Sequence, residues 1–110
     1  MEITRGDTRH YKFQRKDENG NVILKKADKI YFTVKNNEVE IKPLFQKTID
    51  DMIFDSDGFY HFSILPEDTN KLPYRIYYYD IERIVEGDKR TISIGELKLT
   101  KEVTFAENEV

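Results

Sequence analysis

Apolar and polar residues alternate along most of this chain, in short runs that are separated by turn residues. Alternation at a period of two puts every second side chain on the same face of an extended strand, so the pattern predicts an all-β fold. The clearest run is Lys29–Lys35, whose even-numbered residues are expected in the core and whose odd-numbered residues, including Tyr31 and Thr33, are expected on the surface. The other predicted strands are Thr8–Arg15, Val22–Leu24, Val39–Ile41, Leu44–Ile49, Met52–Phe54, Phe59–Leu65, Tyr74–Val85 and Arg90–Thr100.

The segment in the middle of the chain indicates which all-β fold this is. The strand Phe59–Leu65 leads into a polar corner at Pro66–Pro73 and then into the tyrosine-rich strand Tyr74–Val85. An immunoglobulin-like sandwich passes its chain from one sheet to the other in this way, and Tyr77 is expected to return its hydroxyl to the backbone of the corner. Proline and acidic residues in the corner allow at most one short helical turn near residues 66–72. We therefore predict an immunoglobulin-like antiparallel β-sandwich of about seven to nine strands.

The last predicted strand changes parity along its length. Ile92 and Ile94 share one face of a regular strand, whereas Leu97 and Leu99 would point to the other face. Gly95 lies where the parity changes, and a β-bulge at a glycine would turn both pairs toward the core. We therefore predict a bulge at Gly95, with all four apolar side chains buried.

The composition fits one small domain with a densely charged surface. The chain has 110 residues, and we expect a single domain over residues 1–105 and a frayed tail at 106–110. Its 18 basic and 21 acidic side chains are interspersed, which argues against nucleic acid or an anionic membrane as a partner. No cysteine is present, so disulfides and cysteine chemistry are excluded. No apolar run resembles a signal peptide or approaches the ~20 residues that span a bilayer, which predicts a soluble protein made in the cytoplasm.

Candidate catalytic and metal-binding residues are few, and each has a simpler structural explanation. Within the acidic cluster from Asp50 to Asp57, the segment Asp55–Gly58 begins like a calcium loop, but the alternation that follows it favours a hairpin turn. His10 and His61 lie in predicted strands, and neither has the nucleophile and orienting partner that a general base needs. The segment Arg5–Asp7 matches a cell-adhesion tripeptide and is interpreted as a glycine turn. We therefore predict that the protein is not an enzyme and has no catalytic, cofactor-binding or metal-binding residue.

The outward side chains of two tyrosine-bearing strands form the candidate interaction surface. Asp80 should face solvent, and strand parity puts Tyr78 on the same face. If this strand pairs with the earlier one, the outward residues Tyr31 and Thr33 join them, with Tyr31 beside Tyr78. A tyrosine-rich surface suits contacts with a protein or a sugar, although a cross-strand aromatic pair also stabilises a sheet by ~0.2–1 kcal/mol without any partner. The candidate surface is therefore Tyr31, Thr33, Tyr78 and Asp80.

Several turns and core positions occur in an order that is found in a known class of proteins. They lie in Ile3–Thr8, Asp17–Val22, Ala27–Val34, Asp57–Tyr60, Ile64–Thr69, Leu72–Tyr74 and Tyr79–Ile81. In this order the chain resembles small structural proteins of phages and prophages of Gram-positive bacteria. It looks most like the N-terminal immunoglobulin-like domain of upper baseplate proteins and of related tail or fibre-attachment proteins. The resemblance covers nearly the whole chain, from Glu2 to about Val103.

The resemblance implies a ligand-free β-sandwich that holds part of a virion together. We therefore expect a non-catalytic structural or assembly module of a phage or prophage particle. Its expected partners are other virion proteins, and homo-oligomerisation is compatible with the symmetry of such particles. The expected location is the host cytoplasm during assembly and the virion afterwards.

A carbohydrate-binding module that recognises host surface glycans is the alternative function. Such a module would need an exposed aromatic platform, and the absence of tryptophan counts modestly against it. Binding of a glycan that depends on Tyr78 would favour this alternative over a purely structural role.

Overall fold

Two β-sheets pack face to face in this protein, and the computed structural model describes residues 1–101. One sheet has five strands in the order β1-β8-β7-β3-β4, and the other has three in the order β2-β6-β5. The strands are β1 (Glu2–Thr4), β2 (Arg9–Gln14), β3 (Lys29–Lys35), β4 (Phe45–Thr48), β5 (Ile53–Phe54), β6 (Phe59–Ile64), β7 (Ile76–Val85) and β8 (Asp88–Thr100). The predicted all-β sandwich is therefore confirmed. The predicted tail at 106–110 and the last predicted domain residues, 102–105, lie outside the described residues.

The strand order is that of an immunoglobulin-like sandwich. β7 pairs antiparallel with β3 on one side and with β8 on the other, while β6 lies between β2 and β5 in the opposite sheet. One pairing departs from the antiparallel arrangement that was predicted, because β1 lies parallel to β8, with Ile3 opposite Leu99. The turn after β1 then carries the chain across to the other sheet, where β2 begins.

The core lies between the two sheets and is built mainly from the inward residues that alternation predicts. On β3, Ile30, Phe32 and Val34 are fully buried. The ring centroid of Phe32 lies 4.7 Å from that of Phe62 and 5.6 Å from that of Tyr79, so aromatic rings from both sheets meet at the centre. Each buried ring removes ~150–250 Å² from water, which lets a chain with only 38% apolar residues form a core.

The corner between β6 and β7 contains one helical turn, as predicted. This helix, α1, spans Pro66–Thr69, and the Asp68 carboxylate accepts the Leu65 N–H at 2.7 Å just before it. Tyr77 points inward near the start of β7, and its hydroxyl donates a hydrogen bond to the Pro73 carbonyl at 2.7 Å. The predicted tyrosine corner is therefore confirmed.

Removing the hydroxyl of Tyr77 should weaken the corner. We expect Tyr77→Phe to lower the free energy of unfolding by about 0.5–1.5 kcal/mol, because the Pro73 carbonyl loses its donor. Urea unfolding measures this change. Tyr78→Phe, on the opposite face of the same strand, is the control and should change stability by less than about 0.5 kcal/mol. Equal effects of the two substitutions would contradict the role assigned to the corner.

Two of the short predicted strands are not strands. Val22–Leu24 makes an isolated bridge to Lys16 and does not extend into a ladder. Val39–Ile41 lies in a loop, where Val39 and Ile41 are 88% and 91% exposed. Three alternating residues carry a weak signal, and a strand also needs a neighbouring strand for its backbone hydrogen bonds.

The predicted strand Leu44–Ile49 is shorter than expected because a second helical turn follows it. β4 ends at Thr48, and a 3₁₀ turn spans Ile49–Asp51. The Asp51 carboxylate accepts the Thr48 N–H at 2.8 Å and so stabilises the start of this turn. This second turn was not predicted, because the segment near residues 66–72 was the only helical candidate in the sequence. Neither helix within residues 1–101 is long and apolar enough to cross a membrane.

The bulge in β8 lies at Ile92 and not at Gly95, where it was predicted. Ile81 of β7 lies opposite Ser93, and the next residue of β7 lies opposite Thr91, so Ile92 has no partner in the ladder. An unpaired extra residue of this kind is what defines a β-bulge. The strand is irregular, as the change of parity indicated, but the bulge lies three residues earlier than predicted.

The apolar residues of β8 do not all reach the core. Leu97 is fully buried, but Ile92 and Ile94 are 38% and 76% exposed, so their predicted burial was wrong. Gly95 faces the interior, where the ring of Tyr79 packs against it. A Cβ atom at Gly95 would lie 2.7 Å from that ring, so the glycine leaves the space that the tyrosine occupies.

Candidate interaction surfaces

The four residues of the predicted interaction surface share the face of the five-stranded sheet that points away from the core, which we name the outer face. Tyr31, Tyr78 and Asp80 are half-buried there, but Thr33 is buried, so its predicted exposure was wrong. Tyr31 and Thr33 belong to β3, Tyr78 and Asp80 belong to β7, and the two strands pair directly. Thr33 stands opposite Asp80, so the register brings these two residues together. Tyr31 stands opposite Glu82, four residues along β7 from Tyr78, which separates the two tyrosines by about 13 Å. The expectation that they lie side by side was therefore wrong.

Asp80 is the least satisfied residue of the outer face. One of its carboxylate oxygens is buried and has no hydrogen-bond partner within the described part of the chain. Burial raises the pKa of Asp80 above its ordinary value, and the carboxylate of Glu82 adds to this rise, while Lys35 and a second lysine oppose it. The hydroxyl of Thr33, which stands opposite Asp80, accepts a hydrogen bond from the Gln46 side chain at 2.9 Å and makes none to Asp80. A buried acceptor without a hydrogen-bond partner is uncommon in folded proteins.

A groove of about 540 Å³ opens beside Asp80 at one end of the outer face. Its lining includes Lys35, Asn37, Tyr78, Ile94 and Glu96. The sequence indicated Tyr78 and Asp80 but missed the residues that β8 and the loop after β3 contribute. Regular alternation from Leu97 and Leu99 was the available signal, since it puts Ile94 and Glu96 on the outer face. The bulge predicted at Gly95 turned Ile94 toward the core instead.

Neutralising Asp80 should stabilise the protein. A raised pKa means that the ionised carboxylate is less favourable in the folded chain than in the unfolded chain, so its cost is present above the pKa and disappears on protonation. We expect Asp80→Asn to raise the free energy of unfolding at about pH 7 by a few tenths of a kcal/mol, up to about 1 kcal/mol.

Urea unfolding at neutral and acidic pH tests this expectation. The gain from Asp80→Asn should vanish at about pH 3, where the carboxyl is protonated in both states. Glu18→Gln, in an exposed turn, is the control. A loss of stability at neutral pH would show that Asp80 has a partner within the protein, and a gain that persists in acid would show that the gain does not come from its charge.

A second groove, of about 680 Å³, crosses the three-stranded sheet and contains both histidines. His10 on β2 shares a hydrogen bond with Ser63 on β6, at 2.6 Å from Nδ1 to Oγ. His61, also on β6, bonds to Asp55 at 2.7 Å from Nε2 to Oδ2. The hydroxyl and the carboxylate therefore engage different imidazoles, whereas a serine–histidine–aspartate triad requires one imidazole between them.

Asp55 closes the turn between β5 and β6. Its Oδ1 accepts the backbone N–H groups of Asp57 and Phe59, both at 2.9 Å, while its Oδ2 bonds to His61. This is the segment that begins like a calcium loop, and its first carboxylate stabilises a hairpin turn, as the alternation indicated. Among residues 1–101, no group of three or more His, Asp and Glu side chains is arranged to hold a metal ion.

Acid should weaken the β5–β6 hairpin through Asp55. Hydrogen bonds from His61 and from the Phe59 backbone hold the pKa of Asp55 below its ordinary value of 3.8. The ionised carboxylate therefore stabilises the fold above about pH 4, and this contribution is lost as the pH falls through the folded-state pKa. Asp55→Asn should lower the melting temperature at about pH 6 and have little effect near pH 2.5. Melting curves of both proteins across this range measure the difference, and parallel profiles would contradict the assignment.

Comparison with known proteins adds no further assignment. No protein-family model matches this sequence, and no curated protein is significantly similar to it. The interpretation of the two surfaces therefore depends on the geometry of the chain itself, and Asp80 is the feature that most distinguishes the outer face.

Proposed function

We propose that this protein is a non-catalytic structural or assembly module of a phage or prophage particle, in a baseplate, tail or fibre attachment. It acts through contacts between its outer face and other virion proteins. The observation that carries this proposal is the groove beside Asp80, on a face that also presents Tyr31 and Tyr78. Burial and Glu82 disfavour the ionised Asp80 carboxylate, so a basic group of a partner in the groove would lower this cost. Tyrosines supply rigid, amphipathic contact area around it.

The phage setting is supported by the resemblance of the chain to baseplate proteins. The segments that carry this resemblance are structural elements of the fold: Ala27–Val34 contains all of β3 except its last residue, and Ile64–Thr69 includes α1. These segments form the scaffold of the domain, and a component that assembles a particle needs such a scaffold to present its contact surfaces. The proposed location is the host cytoplasm during assembly and the virion afterwards, with neither nucleic acid nor membrane among the proposed partners. A homo-oligomer would fit the symmetry of such a particle.

Purified particles test the proposal directly. Prophage induction in the host that encodes this chain, followed by density-gradient purification and quantitative mass spectrometry, should find the chain in particles at a fixed ratio to the tail proteins. Tyr78→Ala and Asp80→Lys should reduce incorporation at least tenfold without loss of the fold, which circular dichroism verifies. Glu18→Lys makes the same charge change as Asp80→Lys in an exposed turn and should incorporate normally.

The proposal fails if purified particles lack the chain. It also fails in its surface assignment if the chain is present but Tyr78→Ala and Asp80→Lys incorporate as well as Glu18→Lys. The flanking genes give an independent check, since tail, portal or holin genes support the phage setting and a metabolic operon contradicts it.

A carbohydrate-binding module is the second candidate, favoured by the groove beside Tyr78. An aromatic ring next to Lys35, Asn37 and Glu96 combines the stacking and hydrogen-bonding groups that sugars use. A glycan array decides between the two functions. Specific binding that Tyr78→Ala abolishes would favour the carbohydrate module and overturn a purely structural role.

A further inference from the structure

The three-stranded sheet has an open edge at β2. Arg9–Gln14 pairs with β6 on one side, and no strand of residues 1–101 lies on its other side. Constant-type immunoglobulin domains carry a fourth strand at this position. An open edge of six residues is long enough to accept an added strand, which is a common way of recognising an extended peptide.

The backbone of β2 alternates in direction, and half of it faces the open edge. The Asp55 N–H donates to the Phe59 carbonyl at 2.9 Å, so the odd-numbered residues of β6 direct their backbone groups toward β5 and the even-numbered ones toward β2. The residues of β2 opposite these even-numbered positions are Arg9, Tyr11 and Phe13. It follows that the backbone N–H and C=O groups of the intervening residues point away from β6. Those residues are His10, Lys12 and Gln14.

The core is incompletely covered beneath this edge. Tyr11 and Phe13 point inward, with ring centroids 5.8 Å from Phe62 and 5.1 Å from Tyr60 respectively. Both rings nevertheless stay only partly buried, although they pack against the core. Apolar side chains of an added strand would extend this packing, because alternate residues of such a strand face the same interior.

The edge is basic in a protein that is acidic as a whole. Residues 9–16 contain Arg9, Lys12, Arg15 and Lys16 and no acidic residue, whereas the chain carries a net charge of −3. Arg15 is buried, but the other three basic residues and His10 are exposed. Within residues 1–101, no carboxylate forms an ion pair with Arg9, Lys12 or Lys16. An acidic partner would therefore meet unneutralised charge along the whole edge.

We propose that the β2 edge binds an extended segment of a partner protein, in which apolar and acidic residues alternate, as a fourth strand of this sheet. The apolar side chains pack beside Tyr11 and Phe13, and the acidic ones lie on the solvent side near His10 and Lys12. The inference rests on the proposed function only in that the domain acts through protein contacts. The two surfaces lie on different sheets, so one can fail without the other.

Amide hydrogen exchange on the full chain tests the strand addition. The probe is a ten-residue peptide of alternating valine and glutamate with solubilising ends, and its counterpart replaces every glutamate with lysine. Without peptide, the amides of His10, Lys12 and Gln14 should exchange quickly and those of Tyr11 and Phe13 slowly. The acidic peptide should slow the first three at least tenfold, and the lysine peptide should leave them unchanged.

Two variants of Lys12 separate backbone pairing from charge. Lys12→Pro removes an N–H that points to the open edge and takes part in no bond to β6, so the protein should fold and lose binding of the acidic peptide. Lys12→Glu keeps the N–H and reverses the charge, and it should weaken binding at least tenfold. Lys98→Glu makes the same reversal on an exposed position of β8 and should bind as the parent does.

Three outcomes would overturn the proposal. The first is no protection of the three amides by the acidic peptide, and the second is equal protection by both peptides. The third is protection that appears without peptide and grows with protein concentration, because the occupant would then be a second copy of this chain. If Lys12→Pro fails to fold, Lys12→Glu and Lys98→Glu still decide the question. Particle incorporation of the Asp80 variants is measured separately, so its failure concerns the outer face alone.

Discussion

Phe32→Ala should destabilise the protein by about 3–5 kcal/mol, the largest effect that we expect of any single core substitution. Phe32 is fully buried at the centre of the sandwich. Its ring centroid lies within 4.7 Å of Phe62, 5.6 Å of Tyr79 and 6.3 Å of Phe45, so truncation removes contacts with both sheets and leaves a cavity among rigid rings. Domains of this size are stable by only about 5–15 kcal/mol, so the loss is a large fraction of the total.

Chemical unfolding measures this effect, with Ile94→Ala as the control. Ile94 lies on β8 but is 76% exposed, so its truncation should change stability by less than about 0.5 kcal/mol. If Phe32→Ala does not fold at all, Phe32→Leu gives a measurable intermediate loss. A cost of several kcal/mol for Ile94→Ala would contradict the position of the bulge in β8, since it would place that residue in the core.

Gly58→Ala should cost about 2–5 kcal/mol, for two reasons that add. Gly58 has a φ of +86°, where an L-residue is strained by about 1–2 kcal/mol. In addition, a Cβ atom there would lie 2.7 Å from the side chain of Val22 and 3.3 Å from the carbonyl oxygen of Ile23. Crowding of this kind costs about 1–3 kcal/mol in a packed site.

Gly20→Ala separates the two contributions to the effect of Gly58→Ala. Gly20 has a nearly identical φ of +83°, but a Cβ atom at this position would have no neighbour within 4 Å. The difference between the two substitutions in the free energy of unfolding therefore measures the crowding between the β5–β6 turn and the segment at Val22. Equal losses would show that this segment moves aside freely and is not held against the turn.

Local sequence patterns predicted correctly the elements whose structure depends only on residues nearby in the chain. β3 was predicted with its bounds and its core residues because alternation over Lys29–Lys35 is long and unbroken. The hydrogen bond of the Tyr77 hydroxyl was also predictable, because its acceptor, the Pro73 carbonyl, lies only four residues earlier in the chain. In each case the physical cause lies within a few residues of the effect.

The errors have a different origin, since they depend on pairing between distant segments. The bulge at Ile92 is visible only from the register of β8 against β7, and the same register decides that Ile94 is exposed. The parallel pairing of β1 with β8 joins residues at opposite ends of the described chain, which alternation cannot detect.

The candidate surfaces were predictable in part, for the same reason. Strand parity assigned Tyr31, Thr33, Tyr78 and Asp80 to one face, and the structure brings Thr33 and Asp80 together. The separation of the two tyrosines required the register, and the buried oxygen of Asp80 required the packing of its neighbours. The open edge of β2 required the strand order, although the run of basic residues that marks it is visible in the sequence.

The parallel pairing of β1 with β8 also determines how the protein responds to mechanical force. A pull between residue 1 and residue 101 acts on opposite ends of this short ladder, so its hydrogen bonds are loaded in shear and must break together. The Lys98 N–H bonds to the Met1 carbonyl at 2.9 Å, and the Arg5 N–H bonds to the Thr100 carbonyl at 3.0 Å, which lengthens the ladder at both ends. The force that unfolds a domain depends on the height of the unfolding barrier and not on the equilibrium stability. The domain should therefore act as a mechanical clamp that resists tension along its length.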